Sequence, residues 1–165
     1  MSLANDLLAQ ARLLARNEPR RPRQASLRRA VSAAYYSVFH LLVEDATKLL
    51  VPPNPQGLRL LVRRAFDHNE MKMVCKAFAQ TVQPPVSQLI VLPMAPGIVF
   101  TARTFVELQE ARHDADYNLS LDVSRAAALN YISNAEQAFQ KWGIERSTPN
   151  GQVFLTALAF NKRWR

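Results

Sequence analysis

The amino-acid sequence predicts an all-α protein, built as an antiparallel up-and-down bundle of helices. Nonpolar residues recur at helical spacing over long stretches, most clearly along residues 24–50. Glycine is scarce, with 4 residues in 165, which disfavours the many tight reversals of a β protein. The linkers between helical stretches are mostly short, as expected where neighbouring helices run antiparallel.

The first two helices are predicted before residue 51. Ser2 is a candidate N-cap of the first helix, and Asn17 and Pro19 end it. A Pro/Arg-rich linker follows. The second helix runs from about Gln24 to Leu50, and a cluster of prolines ends it.

The middle of the chain combines one helical stretch with a proline-rich segment. The stretch runs from about Leu58 to Val82, and its register breaks around residues 67–69, so it is either one kinked helix or two helices. Residues 83–97 form a Pro-rich insertion loop, because its four prolines exclude a helix. Leu89–Leu92 is a candidate short strand. The loop either packs across the bundle or makes an oligomer contact.

The last helices are predicted after the insertion. One spans about Ile98 to Tyr117, and the next about Leu121 to Trp142, with Gly143 placed for the C′ position. Ser120 or Asp122 is the expected N-cap of the latter. A short helix from near Asn150 lies in a C-terminal extension, residues 144–165. Together, residues 1–165 are expected to form a single domain.

Charge and cysteine content narrow the class of protein. The net charge is +8, and a positive balance suits RNA, DNA or nucleotide phosphates, although a solvated surface is the other interpretation. The first 29 residues hold only two acids, Asp6 and Glu18, against Arg12, Arg16, Arg20, Arg21, Arg23, Arg28 and Arg29. A second basic cluster is formed by Lys162, Arg163 and Arg165. One cysteine, no signal-peptide pattern and no long apolar run predict a cytoplasmic protein without a membrane partner.

Two motifs carry a family resemblance. The first lies on the long second helix and consists of Arg29, Ala30, Val31, Ser32, Ala34, Tyr35, Tyr36, Phe39 and His40. The second comes late in the chain and consists of Arg112, Ala115, Asp116 and Tyr117. In their order and spacing they resemble the small prokaryotic branch of the HEPN superfamily, over residues 27–142. The resemblance implies a HEPN-type bundle, here with an extra C-terminal helix, that forms a homodimer and uses no metal or cofactor.

The resemblance also implies the candidate site residues. Nuclease members of the superfamily use an Arg-x4–6-His motif, in which the histidine acts as general acid or base and the arginine stabilises phosphate charge. Here Tyr117 stands five residues after Arg112, and a histidine is adjacent instead. The candidate catalytic residues are Arg112, His113, Tyr117 and His40. The candidate binding residues are Tyr36, Asp116, Arg28 and Arg29. A formal Arg-x4-His also spans Arg63 to His68, but a spacing this loose is expected about once by chance.

Three functions compete at this point. The first is a HEPN-like domain that binds RNA or a nucleotide through a basic face, in a toxin–antitoxin or defence setting. The second is a metal-independent ribonuclease of toxin type with an altered motif. The third is a non-catalytic partner of a nucleotidyltransferase-like antitoxin. The missing histidine and the positive charge favour binding. All three depend on the two motifs meeting in a shared polar cluster of Tyr36, His40, Arg112, Asp116 and Tyr117.

Overall fold

The computed structural model is an all-α helical bundle, as the sequence predicts. It describes residues 2–53 and 56–164, with the backbone alone for Gln56. These ranges contain seven α-helices, one 3-10 helix and no strand. The α-helices are α1 (Leu3–Arg16), α2 (Gln24–Leu50), α3 (Gln56–Arg64), α4 (His68–Ala79), α5 (Pro96–Tyr117), α6 (Arg125–Glu145) and α7 (Pro149–Trp164), and the 3-10 helix spans Val86–Leu89. Among the described residues, no helix combines the length and apolar character that crossing a bilayer requires.

The chain divides into two compact units, whose boundaries fall inside α2, α5 and α6. Unit 1 comprises residues Met1–His40 and Thr104–Phe139. Unit 2 comprises residues Leu41–Arg103 and Gln140–Arg165. Arg165, one of the predicted basic cluster, lies outside the described residues.

The helices of unit 1 pack through small and aromatic side chains. The hydroxyl of Ser2 accepts from the backbone N–H of Asn5, and Asn17 is the C-cap, so both predicted limits of α1 are confirmed. Tyr35 is 1% exposed and meets the edge of the Phe105 ring at 5.5 Å between centroids. This aromatic contact joins α2 to α5 in the interior of the unit.

Unit 2 has an aromatic core of its own. Phe154 on α7 packs against Phe78 of α4, with centroids 4.8 Å apart, and against Trp142 of α6 at 5.6 Å. The buried indole N–H of Trp142 donates to Asp45 Oδ2 at 2.9 Å. This bond gives a buried donor its partner, which keeps the large ring inside the core. Burial raises the pKa of the Cys75 thiol well above its ordinary value, which disfavours the thiolate.

The predicted third stretch is two helices rather than one kinked helix. Asp67 lies between α3 and α4 in an extended conformation. Its carboxylate accepts from the backbone N–H groups of Asn69 and Glu70, at 2.9 and 3.0 Å. Because a capped helix begins anew at its cap, the register break at residues 67–69 marks a start and not a bend.

The proline-rich insertion contains no strand, so that prediction for Leu89–Leu92 was wrong. Leu89 ends the 3-10 helix. The backbone N–H of Val91 donates to Asn150 Oδ1 at 2.8 Å, and Asn150 Nδ2 donates to the carbonyl of Val91 at 2.7 Å. A side-chain amide therefore takes the place that a second strand would occupy. Helix α5 begins at Pro96, two residues earlier than predicted, because proline is well tolerated at the first helical position.

The limits predicted for the next helix were also wrong at both ends. Helix α6 begins at Arg125, and Ser124 is its cap, since the hydroxyl of Ser124 accepts from the N–H of Ala127 at 3.0 Å. Ser120 and Asp122 lie in the preceding loop, where the side chain of Gln24 pairs with both backbone groups of Val123. At the other end, α6 continues through Gly143 to Glu145, so Gly143 is inside the helix.

Candidate functional site

Four polar or aromatic residues of unit 1 meet where α2 faces α5. We call Tyr36, Arg112, Asp116 and Tyr117 the Arg112 cluster. Arg112 Nη2 donates to the hydroxyl of Tyr36 at 3.1 Å, and Arg112 Nε lies 2.8 Å from Asp116 Oδ2. The Nε–H makes no aligned hydrogen bond, so its contact with Asp116 is an ion pair. The pairing of Arg112 with Asp116, one helical turn apart, is what their spacing allows.

The carboxylate of Asp116 connects the two helices a second time. Its Oδ1 accepts from the hydroxyl of Ser32 on α2 at 2.8 Å, while Oδ2 faces Arg112. Both oxygens of Asp116 thus have partners in the protein. Ser32 belongs to the first motif and lies one turn before Tyr36, so its position on the same face of α2 could have pointed to this role.

The guanidinium of Arg112 sits within a row of aromatic rings. Its central carbon is 5.6 Å from the centroid of the Tyr36 ring and 5.7 Å from that of Tyr117. The row continues at both ends, where the His113 ring lies 5.1 Å from Tyr117 and the His40 ring 6.4 Å from Tyr36. Cation–π attraction at such distances holds a guanidinium against aromatic faces.

The surroundings of Arg112 fix its charge. Partial burial acts to lower the pKa of Arg112, but the hydroxyl of Tyr36, the carboxylate of Asp116 and the hydroxyl of Tyr117 more than offset this and raise it. Arg112 is therefore a permanent cation and cannot serve as a base.

Accessibility varies along the row. The side chains of Arg112 and Asp116 are 24% and 23% exposed. Tyr117 is 65% exposed, and the side chain of His113 is 70% exposed. A ligand can therefore reach the rings of Tyr117 and His113 directly, whereas Arg112 presents only part of its surface.

A groove between α1 and α2 adjoins the cluster. Its volume is about 330 Å³. It shares Tyr36 and Ser32 with the residues just described, and it also contains the exposed Arg29. The remaining lining comes from Leu7, Gln10, Leu14 and Ala33. The groove thus places a cationic side chain and an aromatic ring beside the same opening.

Arg28, the other binding candidate on α2, is occupied by the backbone. Its Nη1 donates to the carbonyls of Ala115 and Asn118, at 2.8 and 3.0 Å, and its Nη2 donates to the carbonyl of Leu121. The side chain therefore satisfies carbonyls at and beyond the end of α5, which have no partner inside the helix. Its predicted ligand contact stays a prediction.

Arg125 has a similar structural role that sequence reasoning missed. Its guanidinium donates to the carbonyls of Asn17, Glu18 and Pro19 in the linker that follows α1. Nothing in the local sequence marks it, because its partners are backbone atoms more than a hundred residues away in the chain.

The formal Arg-x4-His spacing of the sequence lies in unit 2. Arg63 and His68 both belong to that unit and are not among the four residues of the Arg112 cluster. Across the described ranges, no group of three or more His, Cys, Asp or Glu side chains is arranged to hold a metal ion.

Comparison with known proteins adds no assignment. No protein-family model, curated protein or solved structure matches this chain. The HEPN resemblance remains a prediction that depends on the two motifs.

Proposed function

We propose that the Arg112 cluster binds RNA or a nucleotide through an unpaired base. The observation that carries this proposal is the row of rings around Arg112, with Tyr117 and His113 exposed at one end. Unpaired bases are held in proteins by stacking on aromatic rings and on guanidinium planes. Such stacking does not require a net positive site.

The phosphate of the same ligand has a candidate contact in the adjoining groove. Arg29 is exposed there, beside Tyr36. A base stacked on the cluster and a phosphate near Arg29 would use the two chemical parts of one nucleotide. The exposed Arg16 belongs to the same unit and can add longer-range attraction for RNA.

The charge balance at Arg112 supports binding over cleavage. A ribonuclease of the expected type needs an arginine whose charge stabilises the phosphate as it reacts. Here Asp116 lies 2.8 Å from Arg112 and offsets that charge. The cluster is better suited to stacking than to stabilising a developing negative charge.

A titration with short RNA tests the proposal. The probe is fluorescein-labelled tetra-adenylate RNA, and fluorescence anisotropy reports its affinity for the full chain. Since stacking on one aromatic ring contributes about 1–3 kcal/mol per base, Tyr117→Ala is expected to weaken binding about tenfold or more. The matched control is Tyr131→Ala, which removes a half-buried tyrosine of the same unit outside the cluster. Equal affinity of wild type and Tyr117→Ala would contradict the proposal.

A metal-independent ribonuclease is the second candidate, and one contact favours it. The ring of His113 and the guanidinium of Arg112 both lie against Tyr117, so an acid–base group and a cation are close to the same ring. In this reaction His113 would take the proton of a ribose 2′-hydroxyl, and the 2′-oxygen would attack the neighbouring phosphorus. The bond from phosphorus to the 5′-oxygen would break, leaving a 2′,3′-cyclic phosphate, and the departing 5′-oxygen would take a proton from water.

Cleavage can be measured on the same RNA. Incubation with excess EDTA, followed by gel analysis, is expected to leave the RNA intact. Cleavage by wild type that disappears in both His113→Ala and Arg112→Ala would replace the binding proposal with the nuclease. The homodimer and the nucleotidyltransferase-like partner remain predictions from the family resemblance.

A further inference from the structure

The positive charge of the chain is concentrated in unit 2. Unit 1 holds nine arginines and eight Asp or Glu residues, for a net charge of +1. Unit 2 holds twelve Lys or Arg residues and five Asp or Glu residues, for a net charge of +7. Unit 2 also has most of the exposed large nonpolar side chains, including those of α3. A surface that is both basic and nonpolar differs from an ordinary solvated face, which interleaves both signs of charge.

A groove in unit 2 brings these two properties together. Its volume is about 340 Å³, and it lies between α3 and the C-terminal half of α7. Every lining side chain is nonpolar, and the walls include Leu50, Leu58, Val62, Ala65, Ala159 and Phe160. We call this the α3–α7 groove. Leu58 and Phe160 on its walls are 45% and 40% exposed, so the groove is open to solvent.

Cationic side chains flank the groove. Arg63 and Arg64 are exposed at the end of α3, directly before the lining residue Ala65. On the other side, an adjoining groove shares Ala65, Ala159 and Phe160 and is lined by Lys162 and Arg163. That adjoining groove also contains Asp67 and Glu70, so the cations are partly balanced there. Among the residues that the structure describes, the nonpolar groove itself has no acidic lining residue.

We infer that the α3–α7 groove binds an acidic amphipathic segment of a partner protein. The nonpolar side chains of such a segment would enter the groove, and its carboxylates would face Arg63, Arg64 and the α7 cations. A second copy of this chain fits poorly, because two faces of net positive charge repel each other. RNA fits poorly as well, because the walls are mainly aliphatic and bases stack on aromatic rings.

Two synthetic peptides test the inference on the full chain. Both follow one amphipathic helical pattern of leucine on one face, with glutamate on the other face in the first peptide and lysine in the second. Fluorescence anisotropy of the labelled peptides reports affinity. The acidic peptide is expected to bind at least about tenfold more tightly than the basic one.

Matched charge reversals locate the binding. The Arg63→Glu/Arg64→Glu double variant is expected to weaken binding of the acidic peptide about tenfold. The control is Arg20→Glu/Arg21→Glu, which makes the same change in an exposed Arg-Arg pair of unit 1 and is expected to leave the affinity unchanged. Leu58→Glu tests the nonpolar part and is expected to weaken binding of the acidic peptide, since Leu58 lines the groove. Leu58 is 45% exposed, so its replacement is not expected to unfold the chain. Thermal unfolding by circular dichroism checks each variant.

Each result of these binding experiments either supports or overturns the inference. Equal binding of the two peptides would overturn the inference, and so would equal losses in the unit 1 and unit 2 double variants. If Arg63→Glu/Arg64→Glu abolishes binding of tetra-adenylate RNA instead, the groove is part of a nucleic-acid surface and the inference fails. Because the Arg112 cluster is unchanged in this variant, these results do not depend on the proposed function of unit 1.

Discussion

The two units use their arginines differently. In unit 1, Arg12 pairs with Glu136 and Arg23 with Glu18, while Arg112 pairs with Asp116. Two more arginines, Arg28 and Arg125, donate to backbone carbonyls. In unit 2, Arg59 also donates to a backbone carbonyl, that of Val51, and Lys48 pairs with Glu44. The other cations near the nonpolar groove, Arg63, Arg64, Lys162 and Arg163, are exposed around it. A run of basic residues in the sequence therefore need not become an equally basic surface, because acids and backbone carbonyls elsewhere in the fold can hold part of it.

The largest loss of stability is expected when Arg28 is replaced. Arg28→Ala removes the hydrogen bonds to three carbonyls near the end of α5. Hydrogen bonds from a charged donor contribute about 1.5–3 kcal/mol, so the free energy of unfolding is expected to fall by about 2–3 kcal/mol. Urea denaturation measures it. The matched control is Arg64→Ala in unit 2, expected to stay within about 0.5 kcal/mol of wild type. Equal losses would show that the two units do not differ in this way.

In unit 2, the carboxylate of Asp45 makes a buried contact with Trp142. Asp45→Ala leaves the indole N–H of the buried Trp142 without its acceptor. The expected loss is about 1–3 kcal/mol in the free energy of unfolding. Asp45→Asn keeps an acceptor oxygen and is expected to lose less, as urea denaturation of both variants would show. If the two variants unfold alike, the bond to Trp142 does not stabilise unit 2.

Reversing the charge of one arginine in each unit is expected to change the stability of the protein by a smaller amount. Arg12→Glu places two acids together in unit 1, because Arg12 contacts Glu136 across α1 and α6. Exposed ion pairs contribute about 0.2–1 kcal/mol, so a loss of about 1 kcal/mol is expected. Arg64→Glu relieves repulsion in unit 2 and is expected to leave stability unchanged or slightly higher. The melting temperatures at low salt give the comparison, and a destabilised Arg64→Glu would contradict it.

The smallest expected effect on stability depends on pH and involves Glu18, in the linker after α1. The backbone N–H of Arg23 lowers the pKa of Glu18 below its ordinary 4.5, with further help from the Ser26 hydroxyl and the charges of Arg23 and Arg125. A carboxyl whose pKa is lower in the folded state stabilises the protein above its unfolded pKa and loses that contribution as the pH falls. Glu18→Gln is therefore expected to have a lower melting temperature than wild type at pH 7. The difference should shrink below about pH 4.5, and a constant difference would exclude this role.

The sequence predicts the helices well where local signals are strong. The bounds of α2 follow from its long nonpolar stripe and the prolines after it, and the cap at Ser2 follows from local chemistry. The start of α6 could not be predicted, because Gln24 holds the backbone of Val123 from elsewhere in the chain. Long-range contacts of this kind leave no local pattern.

Long-range contacts also limit what the sequence can predict about the candidate site. The two motifs predict a shared cluster of Tyr36, His40, Arg112, Asp116 and Tyr117. The Arg112 cluster does form in unit 1, and His40 lies at its edge, with its ring 6.4 Å from that of Tyr36. The sequence does not distinguish Arg28 from Arg29, although one contacts backbone carbonyls and the other faces a groove. Adjacent residues on a helix point about 100° apart, and only tertiary packing decides which direction reaches solvent.

We propose that the aromatic row of unit 1, and not the greater charge of unit 2, holds an unpaired base. The most direct test compares Tyr117→Ala with Arg63→Glu/Arg64→Glu in their affinity for tetra-adenylate RNA at about 0.3 M NaCl, where exposed charges are strongly screened. We expect a loss of about tenfold for Tyr117→Ala and a change below about threefold for the double variant. A large loss in the double variant with none in Tyr117→Ala would show that the charge of unit 2, and not the aromatic row, holds the RNA.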